Sequence, residues 1–582
     1  MSAHQMCDLV IRGGLVVDGS GSAPFRGDVA VSGDRIVAVG DLKNIRAAKE
    51  IDAHDCIVTP GFVDVHTHYD GQAIWSSSLS PSSMHGVTTV ITGNCGVGFA
   101  PCRTDDRALL VSVMEGVEDI PEVVMTAGLP WNWETFPEFL DAIDSRPHDI
   151  DIATYVPHSA LRVYVMGERG AAREPATVDD LQQMSALMEE ALDAGALGFA
   201  TGSVPIHRTS AGDYIPTFGA AEAELQAIAT TIRRKGFGIM QVLVDLASGP
   251  VAPGINLLQR LAETSGQLVT FSLSQLDSQP DGWREVLARL TEANAQPGVN
   301  LKAQVFPRPV GVLLGHELTL NPFRLCPTYD AIADLPLPEK LAILRQPDMR
   351  ARLLQEVPAD PTQPLFLMGR NFARMFPLGT QPDYEPPLSQ SVAARAEAAG
   401  VSPEEIAYDL LLEDDGKALL YVAIANYAEG SLDPVLEMMR HPDCVLGLGD
   451  GGAHYGLVCD ASFPTYVLTH WVRDRDGSRI PLPVAIRALS QEPAEAFGLR
   501  DRGCLAAGYR ADVNIIDPAH LTLHRPHVVH DLPSNGRRIM QSASGIRATM
   551  VAGQITWQDG QPTGALPGRL IRGARPMPVA QG

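Results

Sequence analysis

Residues 57–70 read IVTPGFVDVHTHYD, and the organisation of the whole chain turns on them. Val58, Phe62, Val63 and Val65 form a short apolar, mostly β-branched run that Pro60-Gly61 punctuates near its start. Such a run is the composition of a strand covered on both faces, as strands of parallel sheets are. His66-Thr67-His68 closes it. Side chains two apart on a strand share a face, so both imidazoles project together from the strand's C-terminal end. Two neutral imidazoles side by side are a ready pair of ligands for zinc or another divalent ion. A stray His-X-His more often spends one ring on a carbonyl and the other in solvent. A strand that turns polar at its last residues, however, is where α/β barrels carry their chemistry.

Outward from this stretch the apolar runs repeat. Residues 61–68, 88–95, 150–158, 196–203, 238–245, 267–275, 299–306 and 444–450 are eight candidate strands, separated by helical patterns such as VDDLQQMSALMEEALDA at 178–194. Eight βα units in this order predict a (β/α)8 barrel of the TIM type, with every run ending in polar or small residues or followed by a turn. Short alternating bursts over residues 7–56 predict a small β unit, and a matching pattern returns at 511–516 and 548–554, so the two ends of the chain are expected to pair. The expected domains are 1–59 and 491–582 for the two parts of the β unit, with the tail, and 60–490 for the barrel. Between 311 and 403 the rhythm breaks into a proline-rich insertion with two short helices split by Pro347, long enough to cover the barrel mouth or to serve as a dimerisation arm.

The chain has 582 residues, 45% of them hydrophobic and 20% charged, with a formal charge of −24. That size holds a large core without staples, and that charge repels nucleic-acid phosphates and anionic membranes, so neither is an expected partner. The eight cysteines are scattered without C-x-x-C spacing and read as reduced thiols. The opening MSAHQMCDLVIRGG lacks a basic segment followed by an apolar core, and no run approaches about 18 apolar residues. The expectation is a cytoplasmic protein whose partner is a small molecule, with a homo-oligomer left open.

The stretch PGFVDVHTH, preceded by DLVIRGGLVVDGSG at 8–21 and GDRIVAVG at 33–40, resembles the amidohydrolase superfamily. With Gly93-Asn94-Cys95-Gly96 following, it is most similar to the N-acyl-D-amino-acid deacylase (D-aminoacylase) branch. The resemblance implies a β-sandwich from the two termini beside the barrel and a zinc centre, of one ion with a second open, or another divalent metal. It implies Cys95 as a metal ligand, although a lone cysteine is more often an inert apolar residue. It also implies Asp450, at the end of the eighth run, as metal ligand and general base, where the plain alternative is an Asp capping the next loop.

The sequence departs from that pattern at two places. The superfamily takes further histidines from strands five and six, but FGIMQVLVDL and QLVTFSLSQL have none; Gln241, Asp245, Ser272, Ser274 and Gln275 stand there instead. Amides and hydroxyls bind zinc poorly beside imidazole or thiolate, so a full two-metal centre is doubtful. The branch also holds its substrate carboxylate with basic groups near strands six to eight. Here Gln275, Phe306 and Tyr455 align, leaving Arg208, Arg308 and Arg370 in loops as the basic residues on offer. His158, His454, Arg208 and Gln241 are the candidate substrate-binding residues, and His207 a further one. His524, His527 and His530 read as surface residues, with Pro526 breaking any helix that would align them. The expected activity is metal-dependent hydrolysis of a C–N amide bond, first of an N-acyl (D-)amino acid. A cyclic amide, arylamide or carbamate is the second reading, and a scaffold without turnover the third.

Overall fold

The computed structural model describes residues 6–358 and 360–578. At its centre eight parallel strands follow one another in chain order: Phe62–Asp64, Val87–Thr92, Asp151–Pro157, Gly198–Ser203, Ile239–Val244, Val269–Leu273, Leu301–Val305 and Cys444–Leu446. Each of the eight runs read from the sequence overlaps one of these strands, seven of them enclosing it whole. The first and eighth meet beyond their ladder-paired residues, where Asp450 N donates to His66 O at 3.0 Å and His68 N to Gly451 O at 2.8 Å. The seam that closes the barrel therefore joins two stretches already singled out for chemistry.

The lower interior is filled by Val63, Ile91, Ala153, Tyr155, Leu197, Ile239, Leu268 and Val445, and Ala494, Phe497 and Leu499 pack onto them. With that end sealed by apolar side chains, the C-terminal ends of the strands form the open face. Helices wrap the outside as their periodicity requires. Val178–Ala194 starts at a Thr177/Asp180 capping box, buries Met184, Met188 and Leu192, and stops at left-handed Gly195.

Both termini contribute to one nine-stranded sheet, in which Val513–Ile516 pairs antiparallel with Ile57–Pro60 and Cys7–Val16 runs parallel to that same strand. Leu9, Ile11, Val29, Ile36, Val58, Val513 and Ile515 share its core. Arg502 and Arg510 fasten the C-terminal part to the base of the barrel through Asp151, with bonds of 2.7 Å and 2.9 Å. Because the fifth strand of this sheet, Ile57–Pro60, runs directly into the first barrel strand, the sheet fixes where His66 and His68 emerge.

The insertion is more ordered than its prolines suggest. The helices Leu337–Leu344 and Pro347–Gln355 occur as expected, and a three-stranded antiparallel sheet, Val310–Leu314, Leu419–Ala425 and Met375–Leu378, adds a framework that extends the non-barrel stretch to Ala425. Pro377 lies in an edge strand, where a missing N–H costs least. None of the eight cysteines is paired. Among the described residues, no helix is long and apolar enough to cross a membrane.

Candidate metal centre and active site

Three short backbone devices bring the polar residues together. After the first strand His66 and His68 turn inward, both about 1% exposed. After the second, Gly93, Cys95 and Gly96 all take left-handed backbone angles (φ 83°, 58° and 77°). A Cβ at Gly96 would stand 2.6 Å from Thr201 Cα, so the glycine there is needed both for its angle and for its lack of a side chain. Asn94 Nδ2 ties this turn to Thr67 O at 3.1 Å, and Gln241 Oε1 accepts from Cys95 N at 2.9 Å. After the eighth strand, Leu448 and Asp450 are also left-handed, which swings the Asp450 carboxylate over the two imidazoles.

The four side chains converge. Cys95 Sγ lies 3.4 Å from His66 Nε2, and Asp450 Oδ1 lies 3.6 Å from Nε2 of both His66 and His68. Donors around a tetrahedral zinc at about 2.0–2.3 Å would stand roughly 3.3–3.8 Å from one another. The His66, His68 and Cys95 donor atoms all fall within 4.8 Å of each other. The rear atom of each imidazole faces an acceptor: His66 Nδ1–H donates to Gln304 Oε1 at 2.6 Å, and His68 Nδ1 faces Glu118 Oε1 at 3.3 Å. Protonation at Nδ1 leaves both Nε2 lone pairs aimed at the common point, the arrangement that orients histidine ligands in metal sites. The residues present therefore fit a divalent ion.

The electrostatics divide the four side chains, with His66 and Asp450 ready to coordinate and His68 and Cys95 holding protons. Burial lowers the His66 imidazole to about 4, so it is neutral and free to coordinate. Burial would lower His68 too, but Glu118 and Asp450 outweigh it and hold its proton well above the usual histidine range. Burial pushes the Cys95 thiol up to about 11, His68 pulling the other way. A divalent ion bound here would displace the His68 and Cys95 protons, because ligand atoms must be deprotonated to coordinate. Burial also raises Glu118, to about 7, against the pull of His68. Asp450 is driven the other way: burial raises it, but the nearby His68 and the charges of both imidazoles leave it well below the ordinary carboxylate range.

A cavity of about 210 Å³ opens above this cluster, lined by His66, His68, Cys95, Glu118, Asp450 and His454 among others. His454 faces His68 at 6.5 Å between ring centroids, and Glu118 Oε2 lies 3.5 Å from its Nε2. His207 also lines the cavity, with its Nδ1 unpartnered and burial holding it down to about 3. Strand six contributes Ser272 to the wall, and Ser274 joins it just beyond the strand's end.

Other expected residues go elsewhere. Gln241 sits beneath the cavity and spends its oxygen on Cys95 N. His158 begins the helix His158–Met166, which carries its ring behind the strands to Thr201 Oγ1 (2.9 Å) and Glu224 Oε2 (3.3 Å). Arg208 lies over the Tyr214 ring at 3.8 Å and donates to Gly212 O, away from the cavity lining. The exposed His524, His527 and His530 lie on or beside the strand His527–Leu532. Two residues that bear on the centre were not read from sequence. Glu118 ends the helix Arg107–Glu118 with nothing local to distinguish it from a solvated charge. Gln304 was visible only as a lone amide inside the apolar strand LKAQV.

With this geometry in place, residues 49–557 match the Amidohydrolase family. A D-aminoacylase of Alcaligenes xylosoxydans xylosoxydans is 28% identical over 575 residues, covering 98% of this chain and 98% of that protein. An N-acyl-D-aspartate deacylase of the same organism is 27% identical over 585 residues, covering 100% and 98%. Among solved structures, an N-acyl-D-glutamate deacylase from Bordetella bronchiseptica, complexed with zinc and a phosphonate mimic of the tetrahedral intermediate, shares the fold. It has a TM-score of 0.64, is 23% identical, and covers 98% of this chain and 100% of that one. A crystal structure of D-aminoacylase gives a TM-score of 0.64 at 24% identity, covering 97% and 100%.

Proposed function

The chain belongs to the amidohydrolase family, enzymes acting on carbon–nitrogen bonds other than peptide bonds, and from that premise we propose that it removes the acyl group from N-acylated amino acids or their derivatives, first of the D series. The observation that carries the reading is the meeting of two imidazoles, a thiol and a carboxylate from three separate strand ends. The D-series preference draws on the relatives, which are D-aminoacylases and N-acyl-D-amino-acid deacylases.

We assign His66, His68, Cys95 and Asp450 to hold one divalent ion, zinc first. Bound there, the ion would polarise the amide carbonyl and make water acidic enough to attack at neutral pH. The protein's own contributions are then positional and protonic. Gln304 holds the His66 ring in one tautomer and orientation by a hydrogen bond, and Glu118 places a carboxylate behind the His68 ring. Asp450, ionised at neutral pH, accepts the attacking water's proton on its free oxygen and returns it to the leaving nitrogen as the C–N bond breaks. His454, on the cavity wall beside His68, is given the carbonyl oxygen. The leucine, valine and phenylalanine side chains of the lining keep bulk water from competing.

The test is a zinc titration with an activity panel. About one equivalent of zinc per chain is expected, lost in the His66→Ala, His68→Ala double variant together with hydrolysis of N-acetyl-D-amino acid derivatives. A folded protein that takes up no metal would support the turnover-free scaffold instead. Hydrolysis confined to hydantoins, anilides or carbamates would move the substrate to that second class.

A further inference from the structure

The cavity wall carries carboxylates and imidazoles but, among the described residues, no permanent cation: no lysine or arginine lines it, while Glu118, Asp450 and Asp460 do. One guanidinium lies directly behind the wall. Arg308 is 1% exposed, its Nη2 donates to Asp460 Oδ1 at 2.5 Å and to Cys459 O at 2.8 Å, and its Nη1 donates to Ser462 Oγ at 3.3 Å. Its plane lies 4.1 Å from the Tyr384 ring centroid, within the insertion. Both terminal nitrogens of the guanidinium are engaged, and the group it shows to the cavity is its counter-ion.

We propose that this enzyme takes amides without a free carboxylate beside the scissile bond, and that Asp460 is the specificity-determining residue because it keeps the Arg308 charge out of the cavity. The proposal rests on the deacylase reading above and narrows its substrate to a carboxamide, ester or other uncharged derivative. A substrate carboxylate entering this space would face Asp460 across a confined cavity of about 210 Å³ walled partly by apolar side chains, where like charges repel more than in bulk water. To reach Arg308 it would have to displace Asp460 and leave that buried carboxylate unpaired, the costliest way to break a buried pair. An uncharged group meets neither cost. The hydroxyls of Ser272 and Ser274 on the facing wall can donate to it or accept from it.

The experiment compares two ligands that differ only in this group, N-acetyl-D-alanine and N-acetyl-D-alaninamide. Turnover is measured on the zinc-loaded enzyme, and binding by calorimetry in an Asp450→Asn background. Because a carboxylate can also seize the ion directly, the ratio between the two ligands is followed across variants. The wild type is expected to favour the amide at least tenfold. Asp460→Asn, nearly isosteric, should move the ratio at least tenfold toward the carboxylate, because Arg308 is no longer neutralised. Arg308→Met should move it the other way, because Asp460 is then alone. Equal affinities, silence from both ligands or preference for the carboxylate in the wild type overturns the proposal, as does a folded Asp460→Asn protein with an unmoved ratio. If Asp460→Asn does not fold, Arg308→Met decides alone, and no shift or a shift toward the carboxylate overturns it. An amide bound in preference but never cleaved would sink the deacylase reading while this inference stands. Preferred cleavage of the carboxylate would do the reverse.

Discussion

The mouth of the barrel has two unlike halves. Strands seven, eight, one and two bring Gln304, Asp450, His66, His68 and Cys95 to one point, each imidazole backed by an acceptor. Strands three to six bring Leu243, Ser272 and Ser274 to the cavity, and Gln241, whose carbonyl oxygen is already used by the Cys95 backbone. The first half can bind an ion because its donors are soft or anionic and already oriented. The second half supplies a wall and holds the cysteine turn in place. The missing imidazoles of strands five and six thus leave the first half intact, and the contrast argues for one ion where a symmetric set of donors would invite two.

The most damaging single change predicted for this contrast is Asp450→Asn. With His66, His68 and Cys95 still in place the protein should keep its zinc, while kcat falls by about a hundredfold to ten-thousandfold because the proton shuttle is gone. Steady-state kinetics beside metal analysis check both parts, and a variant that loses zinc and activity together would make Asp450 a ligand only. A smaller effect separates the halves directly. Gln304→Leu removes the acceptor behind His66 and should weaken zinc binding about tenfold to a hundredfold, whereas Ser272→Ala should change it by no more than about twofold. Competition with a chromogenic chelator measures both, and equal losses would erase the distinction.

This division also explains what the sequence could and could not reveal. His66 and His68 follow the first strand, Cys95 the second and Asp450 the eighth, so apolar runs with polar stops marked the positions, while the resemblance supplied the roles of Cys95 and Asp450. His158 has the same local pattern and a different fate, because the helix starting at that residue takes the ring behind the sheet. Glu118 sits at a helix end 50 residues beyond His68 in the chain and meets it only through tertiary folding, so nothing near it in sequence marks it. The helices of the insertion were legible from their periodicity. Its sheet was hidden, since one strand carries a proline and the three are far apart in the chain.

The mildest prediction concerns the insertion, held by a different kind of chemistry. Glu385, in the insertion, accepts from Arg475 Nη2 at 2.8 Å and Nε at 2.9 Å, from His470 Nε2 at 2.7 Å and from Leu432 N at 2.8 Å. His470 and Arg475 lie in and just after the helical turn Val467–Asp474, so this carboxylate clamps the insertion to the segment that follows the Asp450 loop. Burial alone would raise Glu385, but the bonds from His470 and Arg475 hold it down to about 2. An unfolded glutamate titrates near 4.3. Its folded value is the lower one, so the clamp's stabilisation is fully present above about pH 4.3 and is lost as pH falls toward about 2. Glu385→Gln should therefore melt below the wild type at pH 7, with the gap closing as the pH is lowered through 4 to 3. Melts followed by circular dichroism at those pH values give the answer. A gap that stays constant across the range would mean that packing, and not the charge on Glu385, fastens the insertion, leaving the histidine-bearing half as the part of the mouth organised by ionised groups.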